Sequence, residues 1–203
     1  MTPKFNLILL GDPASGKDTQ ASILKTKYDL FEVDIGKALR KISKEDPQWG
    51  LKLTNTLDKG KLAPTALVVD MLKKAIGDSP KRKGLIFAGS PKMLKEAKIV
   101  SKLLKTHKPF PTLVIYLKIS KSVTISRIAK RKEFQNGHWK TRLDDSLPSL
   151  RNRIRYYQAN VSAVVKFFKT IYTFRQVSGI GDIPEITKNL SQIVNNFLND
   201  QKK

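Results

Sequence analysis

Apolar and polar positions follow two different periods along this chain. Residues 5–10 form a short, nearly continuous apolar run that ends at Gly11, and residues 85–88 and 113–117 repeat that character. Residues 31–33 and 173–177 are shorter candidate strands. Runs this short and apolar on both faces suit strands of a parallel sheet, covered on both sides. Longer segments with helical spacing lie between them, at 63–76, 92–105, 123–132 and 147–169. A closing one spans 183–198, with Pro184 near its first turn. Strands alternating with helices predict an α/β fold, a five-stranded parallel sheet with helices on both faces. No repeat, low-complexity tract or linker interrupts the 203 residues, so a single domain over 1–203 is expected.

The sharpest local feature joins the first strand to the first helical run. It reads Gly11-Asp12-Pro13-Ala14-Ser15-Gly16-Lys17-Asp18-Thr19. Gly-x4-Gly-Lys in that setting is the pattern of a phosphate-binding loop. Its glycines let the backbone curl until several N–H groups point into one concavity, and the following helix adds its positive N-terminal end. Lys17 then reaches the terminal phosphates of a donor nucleotide. The Ser or Thr that commonly follows the lysine is Asp18 here, with Thr19 one residue later. The bland alternative is a Gly-Pro turn that binds nothing.

Gly16-Lys17-Asp18-Thr19-Gln20 resembles the Gly-Lys-Gly-Thr-Gln of adenylate kinases, which also lack Ser or Thr directly after the lysine. The likeness continues in the family's order to about residue 190. Ile35-Gly36-Lys37-Ala38-Leu39-Arg40 resembles Thr-Gly-Asp-Met-Leu-Arg, and Gly60-Lys61-Leu62-Ala63-Pro64 resembles Gly-x-Leu-Val-Pro. Gly89-Ser90-Pro91-Lys92 is similar to Gly-Phe-Pro-Arg. Arg127-Ile128-Ala129-Lys130-Arg131 is similar to the Arg-x3-Arg that opens the family's lid. Arg142-Leu143-Asp144-Asp145 resembles the Arg-x-Asp-Asp that closes it, and Arg153-Ile154-Arg155-Tyr156-Tyr157 resembles Arg-Leu-x2-Tyr. Each piece alone is weak; six in order behind a phosphate loop are specific.

The resemblance implies a P-loop core over 1–34, 77–131 and 142–203, an acceptor-binding helical segment over 35–76, and a short lid over 132–141. It also implies transfer of a phosphoryl group from ATP to AMP, with magnesium brought in by ATP. Gly11, Pro13, Ala14, Ser15, Gly16, Lys17, Asp18 and Thr19 would hold ATP, and Arg127 would lie against its base. Lys17, Arg131, Arg142 and Arg153 would surround the transferred group. Ile35, Gly36, Arg40, Gly89, Lys92 and Glu96 would hold AMP, Arg40 and Lys92 at its phosphate. The Ser90–Pro91 bond is expected to be cis. Some longer family lids bind zinc through cysteines. This chain has no cysteine and His138 alone in its lid, so no zinc is expected.

Some positions depart from the family. Its two aspartates near magnesium are Lys37 and Ala88 here, and its acceptor-phosphate arginine is Lys92. Asp12, Asp18 and Asp34 are the candidate replacements at the metal. The family's base-reading glutamine is Glu96 and its nearby threonine is Ile35. An ionised carboxylate only accepts hydrogen bonds, which leaves the lone pair of adenine N1 unpaired and suits the donors of guanine better. These departures keep two alternatives open: a catalytically weak relative with a regulatory role, and a kinase that also accepts GMP.

Charge adds one more alternative. Thirty-nine Lys and Arg stand against seventeen Asp and Glu, a net +22, with the lysines spread along the whole chain. Such a surface attracts phosphate-bearing partners, nucleotides or nucleic acid. Aromatics make up 8% and no nucleic-acid-binding signature is present, which ranks nucleic acid last. No apolar run is long enough for a membrane span or a signal peptide. A cytoplasmic monomer is expected.

Overall fold

The computed structural model describes residues 4–46, 48–57, 59, 61–130, 133–135, 138–140 and 147–202; at 133–135, 138–140, 147, 150 and 153 it describes the backbone alone. The chain begins with β1 (Asn6–Gly11), α1 (Lys17–Lys27) and β2 (Phe31–Val33). Three helices follow, α2 (Ile35–Glu45), α3 (Gly50–Leu57) and α4 (Thr65–Gly77). Then come β3 (Leu85–Ala88), α5 (Leu94–His107), β4 (Thr112–Lys118) and α6 (Lys121–Ala129). A small hairpin of β5 (Glu133–Gln135) and β6 (His138–Lys140) precedes α7 (Leu147–Ile171), β7 (Thr173–Ser178) and α8 (Ile183–Asp200).

The main sheet has the order β2-β3-β1-β4-β7 and is parallel throughout. Its central strand is buried over its whole length, as its unbroken apolar run predicts. Leu7 stands beside Ile86 of β3 on one side and Leu113 of β4 on the other. Alternate residues point to opposite faces, so the sheet feeds two cores. Ile8, Leu10, Phe87 and Val114 pack under α2, α3, α4, α5 and α7, with Leu72, Val100, Val164 and Phe168. Leu7, Leu9, Ile86 and Ile115 pack under α1 and α8, with Leu24, Leu190 and Val194. The chain leaves β1 toward one edge and later returns to its other side at β4. The carboxyl ends of β1 and its neighbours therefore form a topological switch point, where such sheets place ligands.

Element limits differ from the expected ones for local reasons. The helix expected over 123–132 runs from Lys121 to Ala129, because the Ser120 hydroxyl accepts the Val123 N–H and caps its start. The helix expected over 92–105 starts at Leu94, where Glu96 reaches back to the preceding backbone. The hairpin β5–β6 was not anticipated. It pairs Phe134 with Trp139, and the sequence between its strands is Asn136-Gly137, the strongest short hairpin signal.

Candidate active site

The loop after β1 is shaped by close packing. A Cβ at Gly11 would fall 2.5 Å from Ser15 Oγ and 2.9 Å from the Leu117 carbonyl, so only glycine lets the loop lie against β4. Gly16 caps α1 in the left-handed region at φ 88, open to solvent around its α-carbon. Ala14 takes the same region at φ 61, which strains a residue that has a side chain.

Asp12 holds that curl in place. Its Oδ1 accepts the Tyr116 hydroxyl at 2.8 Å and its Oδ2 accepts the Ile119 N–H at 2.9 Å. Its own N–H donates to the Leu117 carbonyl at 3.1 Å, and its carbonyl accepts the Ser15 N–H at 3.0 Å and Lys17 Nζ at 3.5 Å. Burial, with Asp12 beside it, pushes the Tyr116 phenol far above its usual range. Tyr157 of α7 faces the same group, near the Tyr116 hydroxyl and the Gly11 N–H, though its hydroxyl makes no full hydrogen bond there. Burial pushes its phenol well up as well, so the cluster stays protonated at the tyrosines. Sequence reasoning placed Asp12 among candidate metal carboxylates and missed Tyr116. A carboxylate inside a phosphate loop was the available signal: it repels the ligand unless partners elsewhere hold it.

Lys17 and Asp18 meet the neighbouring strand. A Cβ at Gly89, just past β3, would lie 3.7 Å from Lys17 Cε and 3.9 Å from Asp18 Oδ1. Gly89 has φ 70, and the Ser90–Pro91 bond after it is cis, as the resemblance implied. Thr19 is exposed beside Asp18 at the start of α1. Arg127 of α6 crosses to the loop, where its Nη1 donates to the Ala14 carbonyl at 3.3 Å. Pro13 and Ser15 are buried in the turn. The phosphate loop, Lys17, Asp18, Gly89 and Arg127 are thus together at the carboxyl end of β1.

The acceptor-side residues divide. Asp34 caps α2, its Oδ1 accepting the Lys37 N–H at 2.8 Å. Arg40 is exposed and folds back beside Gly36, where a built Cβ would lie 3.4 Å from both Arg40 Nη1 and Asp34 Oδ1. The Ile35 side chain turns into the core with Leu39. Glu96 is 3% exposed, and its Oε2 accepts the N–H groups of Lys92 at 2.7 Å and Met93 at 3.3 Å. It therefore caps α5. Burial pushes its carboxyl up, partly offset by those two N–H groups and the Lys92 charge. Of the lid residues, Arg131 and Arg142 lie outside the described residues. Arg153 is described by its backbone in α7, one turn before Tyr157, so both positions share a helix face.

The carboxylates decide how magnesium fits. Asp12 is committed to Tyr116 and Ile119, and Asp34 to the cap of α2. Asp18 is exposed and stands between the loop and Gly89. Among the described residues no three His, Cys, Asp or Glu side chains cluster as a metal cage. The donor set fits an ion carried on nucleotide phosphates, which Asp18 would help hold, since magnesium keeps several waters and needs few protein ligands.

Comparisons with known proteins point to one family. A family model described as adenylate kinase matches residues 9–173. The adenylate kinase of Flavobacterium psychrophilum is 32% identical over 194 residues, covering 95% of this chain and all of the relative. Those of Leptospira biflexa and Parabacteroides distasonis are 29% and 28% identical, covering 91% and 95% of this chain and 96% and 98% of the relatives. The likeness spans loop, sheet and helices alike: the chain belongs to the adenylate kinase family and is a nucleoside-monophosphate kinase, a phosphotransferase.

Proposed function

We propose that this kinase moves the terminal phosphoryl group of ATP to AMP. The observation that supports this best is the approach of Lys17 and Asp18 of the donor loop to Gly89, one of the residues expected at the acceptor. Phosphoryl transfer asks the protein mainly for positioning and charge neutralisation. In this reading the backbone of Gly11, Pro13, Ala14, Ser15, Gly16, Asp18 and Thr19 cradles the donor phosphates. Lys17, Arg131, Arg142 and Arg153 surround the transferred group, arginine forks pairing two oxygens at once. Arg127 lies along the donor base. Arg40 and Lys92 take the acceptor phosphate, and Ile35, Gly36, Gly89 and Glu96 border its nucleoside. The lid over 132–141 closes to exclude water, which competes as nucleophile. Magnesium brought in with ATP would supply further neutralisation of phosphate charge, and Asp18 would be the carboxylate that helps hold it. No helix among the described residues is long and apolar enough to cross a membrane. We place the protein in the cytoplasm as a monomer.

A coupled assay with ATP and each of AMP, GMP, CMP and UMP tests the reading. AMP turnover far above the other three is expected. No turnover with any of them, alongside intact ATP binding, would favour a regulatory relative. GMP turnover that falls in Glu96→Gln would assign base reading to Glu96, whose carboxylate in the family's glutamine position motivates that second reading. For the metal, ATP binding is titrated calorimetrically with and without magnesium. Asp18→Asn is expected to shrink the gain from magnesium while leaving ATP alone unaffected or tighter. An unchanged gain would remove Asp18 from the site.

A further inference from the structure

The positive charge that looks evenly spread along the chain is unevenly placed in space. The helices on one face of the sheet, α2, α3, α4, α5 and α7, carry sixteen Lys and Arg against three acids, Glu45, Asp70 and Glu96. The helices on the other face, α1 and α8, carry four against three, Asp18, Glu185 and Asp200. The imbalance is sharpest at α5 and α7, which pack together and are joined by the Tyr172 hydroxyl donating to Ser101 Oγ at 3.2 Å. Their single acid, Glu96, is buried and turned to the backbone. Lys95, Lys98, Lys102 and Lys105 are all exposed. Their spacing of three, four and three residues puts them in one stripe, about 15 Å long. Lys166 and Lys169 of α7 are exposed beyond the Tyr172–Ser101 junction. All five ion pairs among the described residues involve other lysines.

We propose that the outer face of α5 and the C-terminal half of α7 binds the phosphate backbone of a nucleic-acid duplex without regard to sequence. Both helices precede strands of the parallel sheet, so their C-terminal ends lie at the edge away from the phosphate loop. Lys102, Lys105, Lys166 and Lys169 are there, where no nucleotide substrate is handled. A duplex carries one charge per about 1.7 Å of axis, ample to meet such a stripe. Single strands are gripped by exposed aromatic rings on which bases stack. Among the described residues no Phe, Tyr or Trp side chain stands exposed, which favours a partner that presents phosphate alone. Lysines are compact point charges and carry no fork for reading base edges. An anionic membrane fits less well, because the face offers only Leu94 and Ile171, each 37% exposed, for insertion. The proposal is independent of the kinase reading and survives its failure.

The test is the anisotropy of a labelled duplex of random sequence, titrated with the full chain from 50 to 200 mM salt. Four lysines at about 0.9 counterions each predict at least a 100-fold loss of affinity over that range. Replacing Lys95, Lys98, Lys102 and Lys105 together with Gln is expected to flatten the slope of log affinity against log salt by about 3 to 4. A control replaces Lys118, Lys121, Lys188 and Lys202, removing the same charge elsewhere, and is expected to keep most of the slope. Circular dichroism and thermal unfolding show that both variants fold. The proposal is overturned by absence of binding at 50 mM salt, or by equal losses in the two variants, which would mean diffuse attraction to net charge. Binding to phosphatidylserine vesicles without duplex binding, or stronger binding to single strands, also overturns it.

Discussion

The two helical layers on the sheet are built on different terms. The α1–α8 layer is interlocked by specific polar pairs. Gln20 donates to the Ile183 carbonyl at 3.1 Å and accepts from Thr187 at 2.9 Å, while Tyr28 donates to Asn195 at 2.9 Å and Lys27 to Ser191 at 2.9 Å. It carries the phosphate loop, whose curl must hold still for its N–H groups to converge. The opposite layer is held mostly by apolar packing, around Leu72, Val100, Val164 and Phe168. It carries the helices of residues 35–76 together with α5 and α7, and it leaves its outer face to lysine. The difference teaches that a loop built on converging backbone N–H groups can rest on a layer with almost no net charge, whereas a layer held by apolar packing leaves its solvent face free to collect cations.

The largest effect expected is at the loop. Lys17→Met should cost at least 10² to 10³ in turnover, in line with loss of one electrostatic stabiliser, and leave thermal unfolding close to wild type. Turnover within tenfold of wild type would detach the α1 layer from the chemistry.

Next come the two cores. Phe168→Ala in the lysine-rich layer should cost about 3–5 kcal/mol and Leu190→Ala under α8 about 2–5 kcal/mol, both from fully buried sites. Urea unfolding measures both. The comparison sharpens if Phe168→Ala also weakens acceptor binding while Leu190→Ala does not, and it breaks if the two act alike on the acceptor.

Glu96 gives a smaller, pH-dependent effect. Burial raises its carboxyl above the ordinary value, so the folded chain binds that proton more tightly than the unfolded one. Its contribution is then fully present at pH below the unfolded value and is lost as pH rises through the folded value. The Glu96→Gln variant lacks this slope. Between pH 4 and pH 7 the melting temperature of wild type should therefore fall relative to the variant. A rise would mean that the N–H groups of Lys92 and Met93 outweigh burial.

The smallest effect concerns surface repulsion. Lys105→Glu on α5 should raise stability at low salt by a few tenths of a kcal/mol, whereas Lys188→Glu, three residues from Glu185, should lower it or leave it unchanged. High salt should erase both. Equal responses in the two layers would show that the segregation of charge has no energetic consequence.

What the sequence by itself determined about this protein is what neighbours along the chain decide. The strands at 31–33 and 85–88 match their expected limits, because a short segment rich in strand-forming residues between turns has few other solutions. The loop from Gly11 to Thr19 was legible for the same reason: its shape is set by contiguous residues, and its order carried the family. The tertiary structure alone decided the rest. Asp12 meets Tyr116 across 104 residues of sequence, and no spacing rule joins them. Glu96 sits where a base-reading glutamine was expected, yet its Oε2 caps a helix, a use visible only once Lys92 and Met93 bend back over it. The lysines at 102 and 166 look alike as exposed helix positions. That they share a face, apart from the acids of α8, follows from strand order and crossovers, because these determine which helices cover which side of the sheet.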